Sequence, residues 1–99
     1  MFRAQLIDID LLAIASPEEL HSLLMRSLNF LGWYGANWDT FWDAITGLVE
    51  MPFVIKFLGW HEFSQRLPRE ADLLKECLSE MQDEYSQQAR LVIYTEQYA

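Results

Sequence analysis

The stretch Phe53-Val54-Ile55-Lys56-Phe57 narrows most sharply what this chain can become. It is branched and aromatic, broken only by Lys56, and a nearly continuous apolar run of that length suits a buried strand of a parallel sheet. Phe2 to Ile9, with Leu6, Ile7 and Ile9 at its apolar centre, reads as a second short strand, and Leu91-Val92-Ile93-Tyr94 as a third. Helical patterns fill the spaces between them. Ser16-Pro17-Glu18-Glu19 is a helix start in which Ser16 caps, Pro17 suits the first position and Glu19 completes a capping box. Leu20, Leu23, Leu24 and Leu28 then form one stripe, which sets a helix over 17–28. Gly59 marks a turn, residues 60–67 a short helix that ends at Pro68, and Arg69 the start of a longer one. That last helix puts Leu74, Cys77, Leu78, Met81 and Tyr85 on one face and mainly Asp72, Glu76, Glu80 and Asp83 on the other. Strands separated by helices need crossover connections. The fold class is therefore α/β: a three-stranded parallel sheet covered, on at least one face, by about four helices. With no repeat, low-complexity tract or linker in sight, residues 1–99 read as a single domain.

The fourth helix belongs to the most unusual part of the chain, Trp33 to Glu50. It opens as an aromatic loop around Gly35. Asn37 is placed as an N-cap, Asp39 falls in the first turn, and Gly47 is placed to end the helix in a left-handed conformation. At helical spacing Trp38, Phe41 and Ile45 share one face, with Trp42 at its edge. Asp39, Asp43 and Thr46 share another, with the aspartates one turn apart. Like charges at that spacing cost a helix about 0.2–0.5 kcal/mol. Folding alone does not call for this repulsion, so a basic surface is expected to meet the face.

Charge points the same way. Seven basic residues against fifteen acidic ones give a formal charge of −8. Affinity for phosphate backbones comes from Lys and Arg, so nucleic acid is a poor direct partner; a basic protein, or plain solubility, suits the balance better. The one cysteine excludes an internal disulfide and a Cys-rich zinc site. No basic region followed by an apolar run suggests a signal peptide, and no run of eighteen apolar residues suggests a membrane span. A cytoplasmic protein without membrane association is the expectation.

Catalysis finds little support. His21 and His61 are the two histidines, neither near a nucleophile motif, and each reads as a surface or half-buried structural residue. Cys77 on an apolar stripe reads as a small core residue. Gly-rich phosphate loops and nucleophile elbows are absent from the sequence. Asp39 and Asp43, joined by Glu50, could bind Mg²⁺ or divide acid and base roles, but two carboxylates on a helix are more often a solvated face. A metal-dependent hydrolase therefore ranks behind binding, and no cofactor is expected. The loop carries more weight. Phe30, Leu31, Trp33 and Tyr34 are too many for a surface loop to bury, and Trp33, beside Gly32 and Gly35, is placed to project as an aromatic anchor. An aromatic beside a row of carboxylates offers a stacking group and negative charges at base and phosphate positions, so such a surface imitates nucleic acid.

Tyr34-Gly35-x-Asn37-x-Asp39, then Trp42-Asp43, then Thr46-Gly47-x-Val49-Glu50-x-Pro52 resembles the central motif of the barstar family, intracellular inhibitors of the ribonuclease barnase. The resemblance implies the same β-α-α-β-α-α-β order, and a non-enzymatic inhibitor or immunity protein that binds a basic ribonuclease or related toxin one to one. By position in the motif, Trp33, Gly35, Asn37, Asp39, Trp42, Asp43, Thr46, Gly47 and Glu50 match the family's binding surface or its frame. The resemblance puts Asp43 at the phosphate-binding centre, Asp39 beside it, and Trp42 as a support from behind. Gly47 would admit partner backbone, Thr46 would share a hydrogen bond, and Glu80 on the last helix would be a further contact. Trp33 stands where the family has a tyrosine, Ala36 where it has an acid, and Leu48 where it has a tryptophan; these bear on which enzyme is bound. The competing reading is a general acidic interaction module with no toxin partner.

Overall fold

The computed structural model describes residues 5–29, 37–48, 51–85 and 91–97. In chain order these form β1 (Leu6–Asp10), α1 (Pro17–Ser27), α2 (Trp38–Asp43) continued by a π-helical turn (Ala44–Leu48), β2 (Val54–Leu58), α3 (Trp60–Arg66), α4 (Pro68–Glu84) and β3 (Leu91–Tyr94). All three strands are parallel in the order β1-β2-β3, so the apolar run noted first is the central strand. The α/β sheet-and-helix architecture is the one the sequence implies.

Register sorts the strands into two faces. Ile7 pairs with Ile55 and Val92, and Ile9 with Phe57, which pairs in turn with Tyr94. These six residues belong to or pack against one buried core, together with Leu20 and Leu24 of α1, Phe41 and Ile45, Phe63 of α3, and Leu74 and Leu78 of α4. The Phe57 and Tyr94 rings stack with centroids 5.6 Å apart, and Trp60 closes on Tyr94 at 4.5 Å. The opposite face carries the row Leu6–Val54–Leu91, in which Leu6 and Leu91 stay half exposed at 53% and 50%. The central strand is thus buried along its helix side, while on the other side Val54 and Lys56 are half-buried and Leu58 is buried.

Local signals set the element ends. The Ser16 hydroxyl accepts from the Glu19 amide at 3.2 Å, and the Glu19 carboxylate accepts from the Ala15 amide at 2.8 Å, so the capping box reaches one residue beyond the cap. Asn29, at φ 60°, turns the chain out of α1. Gly59, at φ 66°, holds a left-handed conformation before α3, and a Cβ there would press on Leu12 at 3.3 Å. Arg66 reaches back to donate to the Ile14 and Leu12 carbonyls, tying α3 to the loop after β1. Pro68 interrupts the helix after Arg66, but it is also the first residue of α4, with only Leu67 between the two helices. Tyr85, expected on the apolar stripe of α4, instead terminates that helix and is 44% exposed. No helix among the described residues is long and apolar enough to cross a membrane.

Candidate functional site

α2 begins where the sequence places it. The Asn37 side-chain oxygen accepts from the Thr40 amide at 2.9 Å, and its backbone carbonyl accepts from the Phe41 amide at 3.0 Å and the Thr40 hydroxyl at 3.0 Å. One residue therefore serves three donors at the helix entrance. From there the two faces separate. Phe41, Ala44 and Ile45 are fully buried, while Asp39, Asp43 and Gly47 are exposed. The 100° spacing of α2 makes this division, because Asp39 and Asp43 lie one turn apart on the side turned from the core.

The end of this segment differs from expectation. Gly47 does not close the helix in a left-handed conformation; among the described glycines only Gly59 has positive φ. The chain widens instead into the π-turn Ala44–Leu48, which carries Gly47 within it. The Thr46 hydroxyl donates to the Trp42 carbonyl at 2.7 Å, one turn back. This local bond competes for a carbonyl of the helical ladder and accompanies the widening. A side chain grafted onto Gly47 would meet no described atom within 4 Å, so the backbone is open to approach there. Thr46, counted with the aspartates by α-helical spacing, is half-buried.

Beyond the buried Phe41, Ala44 and Ile45, the two tryptophans tie α2 to neighbouring helices. Trp38 packs edge-on against His21 of α1, with centroids 4.6 Å apart, and against Phe41 at 5.4 Å. Its indole nitrogen donates to a Glu70 carboxylate oxygen of α4 at 3.3 Å. Trp42 is half-buried and meets the Tyr85 ring at 6.3 Å. His21 corrects a reading made from sequence: it is 2% exposed, not a surface or half-buried residue. It lies beside Leu20 on the α1 stripe, and the Trp38 ring covers it. Burial pushes its pKa below the ordinary 6.5, against the opposite pull of Glu70 and then Glu18. His61 is exposed, with Glu96 at 3.8 Å. The roles of Trp38 and Glu70 together were beyond the sequence, since their contact spans thirty-two residues of chain.

Glu80 is exposed on α4. Cys77, one turn before it, has its pKa raised to about 11, first by burial and then by the carboxylates of Glu80, Glu76 and Asp39. A thiol held protonated in this way is no nucleophile at neutral pH, and Cys77 is half-buried against the core. Among the described residues, no three His, Cys, Asp or Glu side chains group closely enough to hold a metal ion. Trp33, Gly35 and Glu50, like Ala36, lie outside the described residues, as does the Leu48 side chain.

The profile of the family described as Barstar (barnase inhibitor) matches residues 4–96. A Bacillus subtilis (strain 168) protein named "Putative ribonuclease inhibitor YrdF" is 32% identical over 76 residues, which cover 77% of this chain and 84% of that protein. With the motif, the parallel sheet and the family match in agreement, the chain is a member of the barstar family.

Proposed function

We propose that this protein is a ribonuclease inhibitor that lays α2 and the loop before it over the active site of a basic ribonuclease or related toxin. One observation carries the reading: Asp39 and Asp43 stand exposed, one turn apart, on a helix whose other face is fully buried. Such a helix is held rigidly enough to present two negative charges in place of phosphates, at little ordering cost on binding. Asp43 takes the phosphate-binding centre and Asp39 flanks it. Trp33 stacks as an aromatic anchor, with Gly35 and Glu50 of the same motif at the rim. Gly47 admits partner backbone, Thr46 lies beside it, Asn37 and Trp42 frame the helix, and Glu80 adds a contact from α4. The unit is one domain over 1–99, acting without a cofactor as a monomer bound one to one. It inhibits and does not itself hydrolyse. Protection of a producing cell's cytoplasm, as an immunity protein, is the role that follows.

The family's description supplies barnase as the first probe. RNA cleavage by barnase and by other basic microbial ribonucleases, titrated with the purified protein, is expected to stop at one equivalent with at least one of them, and Asp43→Ala is expected to restore cleavage. Inhibition that Asp43→Ala leaves untouched, or RNA hydrolysis by the protein alone, would sink the proposal.

A further inference from the structure

We propose that His21, Trp38 and Glu70 form a clamp between three helices that positions the N-terminal end of α2 for its partner. The proposal rests on α2 being the inhibitory surface. α2 is six residues long before the π-turn, too short to hold its own shape, so its direction depends on what grips its first turn. Asn37 caps the helix from within the segment. Trp38, the first helical residue, is where the grip comes from outside. Its indole meets the His21 ring of α1 at a 62° angle with centroids 4.6 Å apart, and its nitrogen donates to Glu70 of α4 at 3.3 Å. Asp39 and the Asp43 turn follow directly from that anchored residue, so a shift of the ring carries both charges with it.

The clamp holds with the imidazole neutral. His21 is buried, and the charged groups that act on it are Glu70 from α4 and Glu18 from its own helix, while α2 presents the indole. A proton on His21 would place a cation in a buried site, at the desolvation cost that lowers its pKa. It would also draw Glu70 away from the indole nitrogen, since a carboxylate bonds more strongly to an imidazolium than to a neutral donor. Acidification therefore loosens α2 through this one residue. Neutral His21 requires pH above its folded pKa, which lies below the ordinary 6.5. Because the unfolded chain takes up the proton first, stability is fully present above about 6.5 and is lost as pH falls through that value towards the folded pKa.

The test begins on the full chain alone, by amide exchange of α2 measured against β2 in the same sample. The Phe41 and Ala44 amides report α2, and the Ile55 and Phe57 amides report the sheet. Trp38→Phe keeps a ring and deletes the donor; it is expected to lower protection of the α2 amides at least tenfold while β2 protection holds. Glu70→Gln keeps an acceptor and is expected to keep most of the protection, with the fall below pH 6.5 retained because burial, which Glu70 only opposes, causes it. His21→Gln removes the same pH dependence. Equal α2 protection in Trp38→Phe, or a wild-type fall with pH that survives in His21→Gln, overturns the clamp. Affinity for the inhibited ribonuclease then separates the two proposals. If Asp43→Ala weakens binding and Trp38→Phe does not, the clamp fails while the inhibitory reading stands. If neither weakens binding but α2 exchange responds as expected, the clamp stands as a property of the free protein and the inhibitory surface lies elsewhere.

Discussion

On the inner side of α2 and its π-turn, Phe41, Ala44 and Ile45 are fully buried, whereas Asp39, Asp43 and Gly47, interleaved with them on the same backbone, are exposed. The inner set is what a folded chain needs: apolar volume facing β2 and α4. The outer set includes a repelling pair of charges and a helix-weakening glycine, and neither helps folding. Where one segment satisfies stability on one side and works mildly against it on the other, the second side is the place to look for an interaction. Substitutions on the two sides should then separate, with stability lost inside and binding lost outside.

The largest effect is expected inside. Phe41→Ala removes a fully buried ring and should cost about 3–5 kcal/mol of stability, read from urea unfolding. A loss under about 1 kcal/mol would mean that α2 is peripheral to the core, and the contrast would collapse. Outside, Asp43→Ala should leave unfolding unchanged, or raise stability by about 0.2–0.5 kcal/mol as repulsion with Asp39 is relieved. The same change should cost about 2–5 kcal/mol of affinity for the inhibited ribonuclease, a range for which barnase–barstar is itself a reference system. Association of the wild type should slow as salt rises, because the −8 charge steers a basic partner at long range. An on-rate indifferent to salt would reduce the aspartates to a solvated face. Asn37→Ala lies on the border between the two sides. Loss of its cap should cost about 1 kcal/mol of stability and a comparable share of binding, measured by melts and titration on one preparation. Smallest is Gly47→Ala, which meets open space and should gain about 0.5–1 kcal/mol of stability while slowing or weakening complex formation. If binding is unaffected, the partner does not approach that backbone.

The sequence carried the inner side well and the outer side in part. Ser16 and Asn37 are legible because capping is local: the acceptor and the amides it serves lie within three residues. The strands are legible because their apolar runs are bounded by turn residues, and β3 at Leu91–Tyr94 coincides with its expected limits. What escaped depends on contacts distant in the chain or on backbone choices that no spacing rule contains. Gly47 looks like a helix stop, yet nothing in its neighbours announces that the helix will widen and continue through it. His21 looks like a polar residue beside a leucine stripe, and its burial is decided by Trp38, which reaches it only after α1 and α2 have packed. Trp33, Gly35 and Glu50, which the motif assigns to the binding surface, lie outside the described residues, so that part of the surface rests on the family motif alone.

The first two amides leading into α3 carry a consequence for how the chain is made. Gly59 donates to the Gln97 carbonyl at 2.9 Å and Trp60 to the Thr95 carbonyl at 2.9 Å, so donors from the middle of the chain are satisfied by acceptors near residue 97. On a ribosome those acceptors emerge more than thirty residues after the donors they serve. Until they do, α3 begins with two unpaired donors and β2 has a neighbour on one side only. The segment that carries Asp39 and Asp43 leaves the ribosome early, yet the sheet beneath it is completed only when β3 and the residues after it arrive. A nascent chain therefore exposes the acidic helix before the sheet that supports it is complete, and α2 gains its full support only once β3 has emerged.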